Sequence, residues 1–346
     1  PDGASRWWLV DNDSMRCTNL LGKSWADSVA TSFRSQDLID NFDPCFAGDL
    51  GIGANPALVK RVQEADVLLV IGERLGEMTT GGYTVLSVPK PAMVLIHVLP
   101  SPDELGRVYS ADFSLASSPE SFCLALNSIK MGAQYERHRM VDAHQDYLNF
   151  SKPTVIPGAV QLSEIVASFS QYLPRDTIFT NGAGNFATWL HRFYPYGGFK
   201  SQLAPANGSM GYGLPAAIAA KIVDPQRIVV AFCGDGDFMM NCQELATAMR
   251  YRAQPIVIII NNGMYGTIRM HQEREYKTRV SGTELTNPDF VTFAKSFSIP
   301  GYRVEKTEQF KSAIESALQS PNGAIIEMVI DPEAISPSKR LSELGS

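Results

Sequence analysis

No stretch of this sequence is apolar for long enough to cross a bilayer, and its first residues lack the charged-then-apolar pattern of a secretory leader. Basic residues are in the minority: 30 Lys and Arg against 36 Asp and Glu leave a net charge of −6. That removes the electrostatic footprint of a nucleic-acid partner and gives no sign of a membrane-surface role. Cysteine is scarce, five in 346 residues, odd in number and without a CxxC pair. A reducing, cytoplasmic setting is the expectation. Charged residues make up 19% of the chain and hydrophobic ones 45%, the balance of a globular enzyme with large buried cores. The length suffices for two domains of ordinary size. No internal repeat or low-complexity segment is present. The chain opens on Pro1 rather than Met and is read as a piece of a longer protein or a processed product.

The most informative stretch is 234–266, GDGDFMMNCQELATAMRYRAQPIVIIINNGMYG. An apolar run at 227–233 enters its Gly-Asp-Gly turn. Residues 241–252 have helical character, with Asn241 as N-cap and Glu244 three positions on. A second fully apolar run, 255–260, ends at Asn261-Asn262-Gly263. This predicts a βαβ unit with strands buried on both faces, as in a parallel sheet. Ligands bind beyond the carboxyl ends of such strands. Asp235 and Asn262 each follow an end, so neighbouring strands would bring a carboxylate and an amide oxygen to one point. The pair suits a hard cation such as Mg2+, with the carbonyl of Met264 as a third oxygen. Gly236 and the following helix start would let an anion approach backbone amides. A lone Gly-Asp-Gly is a common turn, and a plain turn at an α/β core is the alternative. Twenty-four further residues and then Asn-Asn, with a strand on each side, is a more specific pattern.

The rest of the chain alternates strand and helix. Residues 1–23 show no clear period, and the first strand of the N-terminal half is expected to be missing. Strands are predicted at 28–31, 66–71 and 93–98, and helices at 56–65 and 120–129, with a helix or turn at 35–39. The glycines at 48, 51 and 53 lie in a loop with no clear strand before it; a packed loop is the favoured reading over a phosphate cradle. The polar segment 130–157 is read as a helix plus linker, which divides the chain into 1–150 and 151–346. His138 and His144 within it are read as solvated surface. Beyond it, helices are predicted at 159–172, 216–222, 288–297 and 308–318. Strands are predicted at 177–180, 301–304 and 324–330, and the tail after Asp331 is read as loose. The fold class is α/β, two Rossmann-like, doubly wound parallel-sheet domains. Glycine-rich turns at 182–184, 208–213 and 234–236 would share one sheet edge and there hold one anionic cofactor.

These motifs together resemble the thiamine diphosphate-dependent enzymes, in the acetolactate synthase-like branch, over nearly the whole chain. The resemblance implies a central domain followed by a diphosphate-binding domain. It implies thiamine diphosphate and Mg2+ as cofactors, with Asp235, Asn262 and the Met264 carbonyl as metal ligands. The implied cofactor-binding set is Ala183, Gly184, Asn185, Gly208, Met210, Gly234, Asp235, Gly236, Asp237, Asn262, Met264, Tyr265, Gly266 and Thr267. Met210 falls where the family places an apolar residue beneath a bent cofactor, ordinary core packing being its other reading. The chemistry implied is decarboxylation of a 2-keto acid, with or without carboligation to a second carbonyl compound. His271, where acetolactate synthases carry tryptophan, is a catalytic acid/base candidate or a surface helix residue. FAD in the central domain is possible on the resemblance but not indicated by the residues. The family's pyrimidine-binding domain has no counterpart in these residues. A neighbouring subunit of a homodimer or homotetramer is expected to supply it, and the chain alone is expected to be inactive. A non-catalytic cofactor-binding or assembly module is the alternative. A nucleotide-dependent dehydrogenase ranks last, because GIGANP at 51–56 lacks the third glycine of the dinucleotide fingerprint.

Overall fold

Two parallel six-stranded sheets carry the chain, and their strands are the apolar runs of the sequence. The structure is a computed structural model that describes residues 6–10, 28–129 and 137–344. It divides into two units, Pro1–Ser151 with Pro195–Lys200, and Lys152–Tyr194 with Ser201–Ser346. Among the described residues no helix is long and apolar enough to cross a membrane.

The first unit contains strands β1 (Arg6–Val10), β2 (Ser28–Thr31), β3 (Phe46–Asp49), β4 (Val67–Ile71), β5 (Val94–Leu99) and β6 (Phe113–Ala116). Its helices are α1 (Pro56–Gln63), α2 (Pro119–Asn127) and α3 (Arg137–Phe150). The sheet order is β3-β2-β1-β4-β5-β6, the doubly wound arrangement of dinucleotide-binding folds. The strands alternate their side chains between two cores. Leu68, Val70 and Leu95 pack with Leu58 and Val62 of α1 on one face. Leu69, Ile71 and Val98 pack with Leu126 and Tyr147 on the other. Apolar burial on both faces is what holds a parallel sheet together, at about 1.5–3 kcal/mol per fully buried large side chain.

Three expectations for this half are corrected. The first strand is present: β1 pairs in parallel with both β2 and β4 at the centre of the sheet. The glycine loop is preceded by a strand, β3, because Phe46 and Ala47 are apolar enough to be buried beside Val29. His144 is half-buried and its Nδ1 lies 2.7 Å from the Phe46 carbonyl, so it docks α3 on β3. The Tyr147 ring meets Phe46 edge-on at 4.8 Å in the same contact. Gly51 serves packing: a Cβ there would lie 2.6 Å from the Phe33 ring. Cys123 is disulfide-bonded, whereas Cys45, Cys233 and Cys242 are free.

The second unit contains β7 (Ile178–Asn181), β8 (Gln202–Leu203), β9 (Val229–Gly234), β10 (Ile256–Asn261), β11 (Gly301–Val304) and β12 (Ala324–Val329). Its helices are α4 (Leu162–Tyr172), α5 (Ala187–Phe193), α6 (Gly213–Val223), α7 (Asp235–Met239), α8 (Leu245–Tyr251), α9 (Gly266–Glu275), α10 (Phe290–Ser296) and α11 (Gln309–Gln319). The order is β11-β12-β10-β9-β7-β8, again all parallel. Ala231, Cys233, Val257, Ile259 and Ile325 form one core with α6 and α10. Phe169, Phe179, Phe232 and Phe310 form an aromatic cluster on the other side. The chain leaves β7 toward β8 on one side and later returns to β9 on the other. The crevice between the ends of β7 and β9 is therefore the switch point at which doubly wound sheets bind ligands.

The predicted helix over 241–252 is shorter than its periodicity suggests. Asn241 makes no cap hydrogen bond; a 3-10 turn at Cys242–Glu244 leads into α8. The short helix α7 starts directly at Asp235. The tail after Asp331 is tied in, with Ala334 and Ile335 2% and 1% exposed. Neither carries charge, and their burial outweighs the polar composition around them.

Candidate functional site

Strand β9 ends at Gly234, and α7 begins with the next residue. This abrupt strand-to-helix turn puts Asp235 at the sheet edge. Its Oδ1 accepts the Gly236 amide at 2.9 Å, and its Oδ2 accepts the Gly263 amide at 2.9 Å. The second bond ties the end of β9 to the loop beyond β10, where Ile260 is in register with Gly234. Asp235 is 2% exposed. Burial raises its carboxyl pKa, while the Asn287 side chain and the Gly236 and Gly263 amides pull it back down. Asn262 follows β10, with its Oδ1 accepting the Met264 amide at 3.2 Å. The carboxylate and the amide oxygen that the spacing suggested thus meet at one sheet edge.

A cleft open to solvent lies over this edge. Four segments supply its predicted residues. The turn after β7 supplies Ala183, Gly184 and Asn185; the second glycine turn supplies Met210. The third supplies Gly234, Asp235, Gly236 and Asp237, and the loop after β10 supplies Asn262, Met264, Tyr265, Gly266 and Thr267. Two predicted residues are not in the lining. Gly208 is an exposed turn residue at φ +74°. His271 is on the solvent side of α9, its side chain half exposed, within 2.7 Å of an Arg274 guanidinium nitrogen and 3.5 Å of Glu275. The cleft also takes residues that no motif marked: Phe186 and Trp189 of α5, Ile268 of α9, and Ile330, Ala334 and Ile335 at the chain's end. Their signal in the sequence is apolar character alone, which core residues share.

Close approach of side chains to glycine backbone shapes the cleft. A Cβ at Gly182 would lie 1.8 Å from Asp237 Oδ1, and one at Gly236 would lie 2.5 Å from the Tyr265 ring. Asp237 sits behind the turns: its Oδ1 accepts the Gly211 amide at 2.7 Å. Its Oδ2 is buried without a hydrogen-bond partner. Burial pushes its pKa up to about 6 against the pull of the Gly211 amide. Asn241 donates from Nδ2 to the Gly211 carbonyl at 2.7 Å, which explains why it does not cap α8. Asp237 and Asn241 thereby hold both sides of the turn that presents Met210. Asn185 is equally committed: its amide donates to Thr267 Oγ1 at 2.9 Å, and its side chain donates to the Ile335 carbonyl at 3.1 Å.

The charges in the lining decide what the cleft can hold. It contains two carboxylates, Asp235 and Asp237, and no Lys or Arg. A diphosphate would be repelled unless a cation stood between it and Asp235. Among the described residues no group of three His, Cys, Asp or Glu could hold a metal ion unaided. One carboxylate, one amide oxygen and a nearby carbonyl form an oxygen set too small for a protein-only cage. That donor set fits Mg2+, which keeps few protein ligands and completes its shell with phosphate and water. Backbone amides at a helix start complete the anion side.

A doubly wound sheet with an acid and an amide at adjacent strand ends, edged by glycine turns, defines an α/β protein with a cleft beyond the carboxyl ends of its strands, where such folds bind ligands. Comparison with known families agrees: residues 182–328 match the thiamine pyrophosphate enzyme C-terminal TPP-binding domain, and residues 21–126 match the central domain of the same enzymes. The chain belongs to the thiamine pyrophosphate enzymes. Similar proteins include the acetolactate synthase large subunit of Parasynechococcus marenigrum (strain WH8102), 28% identical over 325 residues, covering 92% of this chain and 51% of that one. The acetolactate synthase isozyme 2 large subunit of Escherichia coli (strain K12) is 28% identical over 293 residues, with 83% and 52% covered. A probable acetolactate synthase large subunit of Methanocaldococcus jannaschii is also 28% identical, over 321 residues, with 89% and 54% covered. The chain spans about half the length of the curated relatives it matches.

Proposed function

We propose that this chain carries the central and diphosphate-binding domains, 1–150 and 151–346, of an enzyme that uses thiamine diphosphate and Mg2+ to decarboxylate a 2-keto acid and transfer the product to an acceptor, in the manner of an acetolactate synthase. One observation carries this reading: Asp235 and Asn262 converge on a cleft that has two carboxylates and no basic side chain. Such a cleft holds an anion only through a cation.

In this reading Asp235, Asn262 and the Met264 carbonyl would hold Mg2+, which would supply the positive charge that the diphosphate needs beside Asp235. Ala183, Gly184, Gly236 and the start of α9 at Gly266 and Thr267 line the phosphate side. The thiazolium of bound thiamine diphosphate supplies the electron sink for decarboxylation. The chain's own work is to bind, orient and exclude water. Met210, half-buried on a turn tied by Asp237 and Asn241, is the apolar support beneath the cofactor. Phe186, Trp189, Ile330 and Ile335 keep the neighbouring wall dry. His271 stands outside the cleft lining, which supports its surface reading over an acid/base role.

The pyrimidine side of the cofactor is completed, in this proposal, by the domain of a neighbouring subunit in a homodimer or homotetramer. The exposed Tyr212, Met239 and Met240, close in sequence to Met210 and Asp237, support a covered face there.

Calorimetric titration with thiamine diphosphate tests the reading. Binding is expected with Mg2+ present, to weaken at least tenfold without it, and to be lost in D235A. Binding that ignores both the metal and the substitution would refute it.

A further inference from the structure

The two asparagines that end β10 do different work. Asn262 lines the cleft, whereas Asn261 is turned toward the sheet. Its Nδ2 donates to Glu327 Oε1 on β12 at 2.7 Å. Its Oδ1 accepts from Asn287 Nδ2 at 3.0 Å. The same Asn287 nitrogen donates to Asp235 Oδ2 at 2.8 Å. At the far end, Glu327 Oε2 accepts from Arg303 Nε at 2.7 Å, and Arg303 donates to Asp289 at 2.9 Å. Asp289 caps α10 through the Thr292 amide at 2.7 Å. One hydrogen-bonded relay therefore runs from α10, across β11, β12 and β10, to Asp235. Glu327 is 3% exposed, so its charge acts in a medium that screens poorly.

Chemistry gives this relay one direction. A guanidinium only donates and a carboxylate only accepts. With Glu327 held by Arg303, Asn261 must offer its NH2 to Glu327 and its oxygen to Asn287. Asn287 must then offer its NH2 to both Asn261 and Asp235. Reversing either amide would set oxygen against oxygen inside the unit and leave a buried polar group unmatched, which is costly. At Asp235, Oδ2 receives two donors, from Asn287 and the Gly263 amide, while Oδ1 receives only the Gly236 amide. The carboxylate is locked in rotation with acceptor capacity left on Oδ1.

We propose that Asn287 is the positioning residue for Asp235, and that Asn261 and Glu327, by fixing its orientation, set the affinity of the site for a divalent cation. This rests on the reading of Asp235 as a metal ligand. Asn287 touches neither cation nor cofactor in this account; it acts by presenting one carboxylate oxygen and occupying the other. Partners of metal ligands typically change affinity by about 10–100-fold when removed.

The test is Mg2+ titration of the full chain at fixed thiamine diphosphate, read by calorimetry, for the wild type, N287A and E327Q. N287A is expected to need at least tenfold more Mg2+, and E327Q, isosteric but without the charge that orients Asn261, several-fold more. At saturating Mg2+ both are expected to recover wild-type affinity for thiamine diphosphate within twofold, which general damage to the site would not allow. Thermal unfolding of the metal-free proteins checks folding, and E327Q decides the matter where N287A does not fold. Wild-type Mg2+ dependence in the folded variants would overturn the inference alone. A wild type that takes up no Mg2+ with thiamine diphosphate would overturn the functional reading beneath it.

Discussion

At the scale of single residues, the site depends on atoms that leave no room. Gly182 and Asp237 are the sharpest case, since a Cβ at 182 would overlap the Asp237 carboxylate at 1.8 Å. G182A should destabilise the chain by about 1–3 kcal/mol, the usual cost of overpacking. Shortening the acid in D237S should recover much of that loss in the double variant. Urea unfolding of the two single variants and the double one measures the coupling; strictly additive costs would mean the two residues do not meet. Legibility at this scale was uneven. Asp235 and Asn262 were readable because strand ends and spacing fix them. Asn287 was not, although it bonds Asp235 as closely as any backbone amide does. It reaches the site from a loop 52 residues further on, and no periodicity links a loop residue to a strand end. His271 shows the converse, a chemically suggestive residue that the helix turns to solvent.

At the scale of elements, the strands were legible wherever they are apolar throughout, as with β4, β9 and β10. β1 was obscured by the polar residues around it, and β6 by its own exposure on every residue as an edge strand. The helix after Asp235 was misjudged because Asn241, a good cap by type, is drawn instead to the Gly211 carbonyl. The end of β3 carries a further consequence. Burial raises the Asp49 pKa to about 7, against the hydrogen bond from Gln36 Nε2 at 3.0 Å. The folded state then holds a proton that the unfolded chain releases near the ordinary carboxylate pKa. Stability should fall as pH rises from about 4 to about 7, by up to ~1.4 kcal/mol per pH unit. D49N should flatten this slope and raise stability above neutral pH, while still accepting the Gln36 bond. Thermal melts of both proteins between pH 4 and pH 8 would show it, and parallel curves would contradict it.

At the scale of the whole molecule, alternation of apolar strands with helices was enough to read two parallel-sheet folds. Glycine turns beyond the strand ends were enough to read which segments border the cleft. What stayed hidden was set by tertiary contact. The apolar wall of the cleft comes from α5 and from Ala334 and Ile335, whose local sequence reads as core or as loose tail. The central claim is that the edge formed by β9 and β10 holds a metal-bridged diphosphate. The most direct measurement is the anomalous scattering of Mn2+ in crystals grown with thiamine diphosphate. One strong peak is expected, bonded to Asp235, Asn262 and the Met264 carbonyl and to the diphosphate. A diphosphate bound with no metal between it and Asp235, or a metal peak elsewhere with this edge empty, would contradict it.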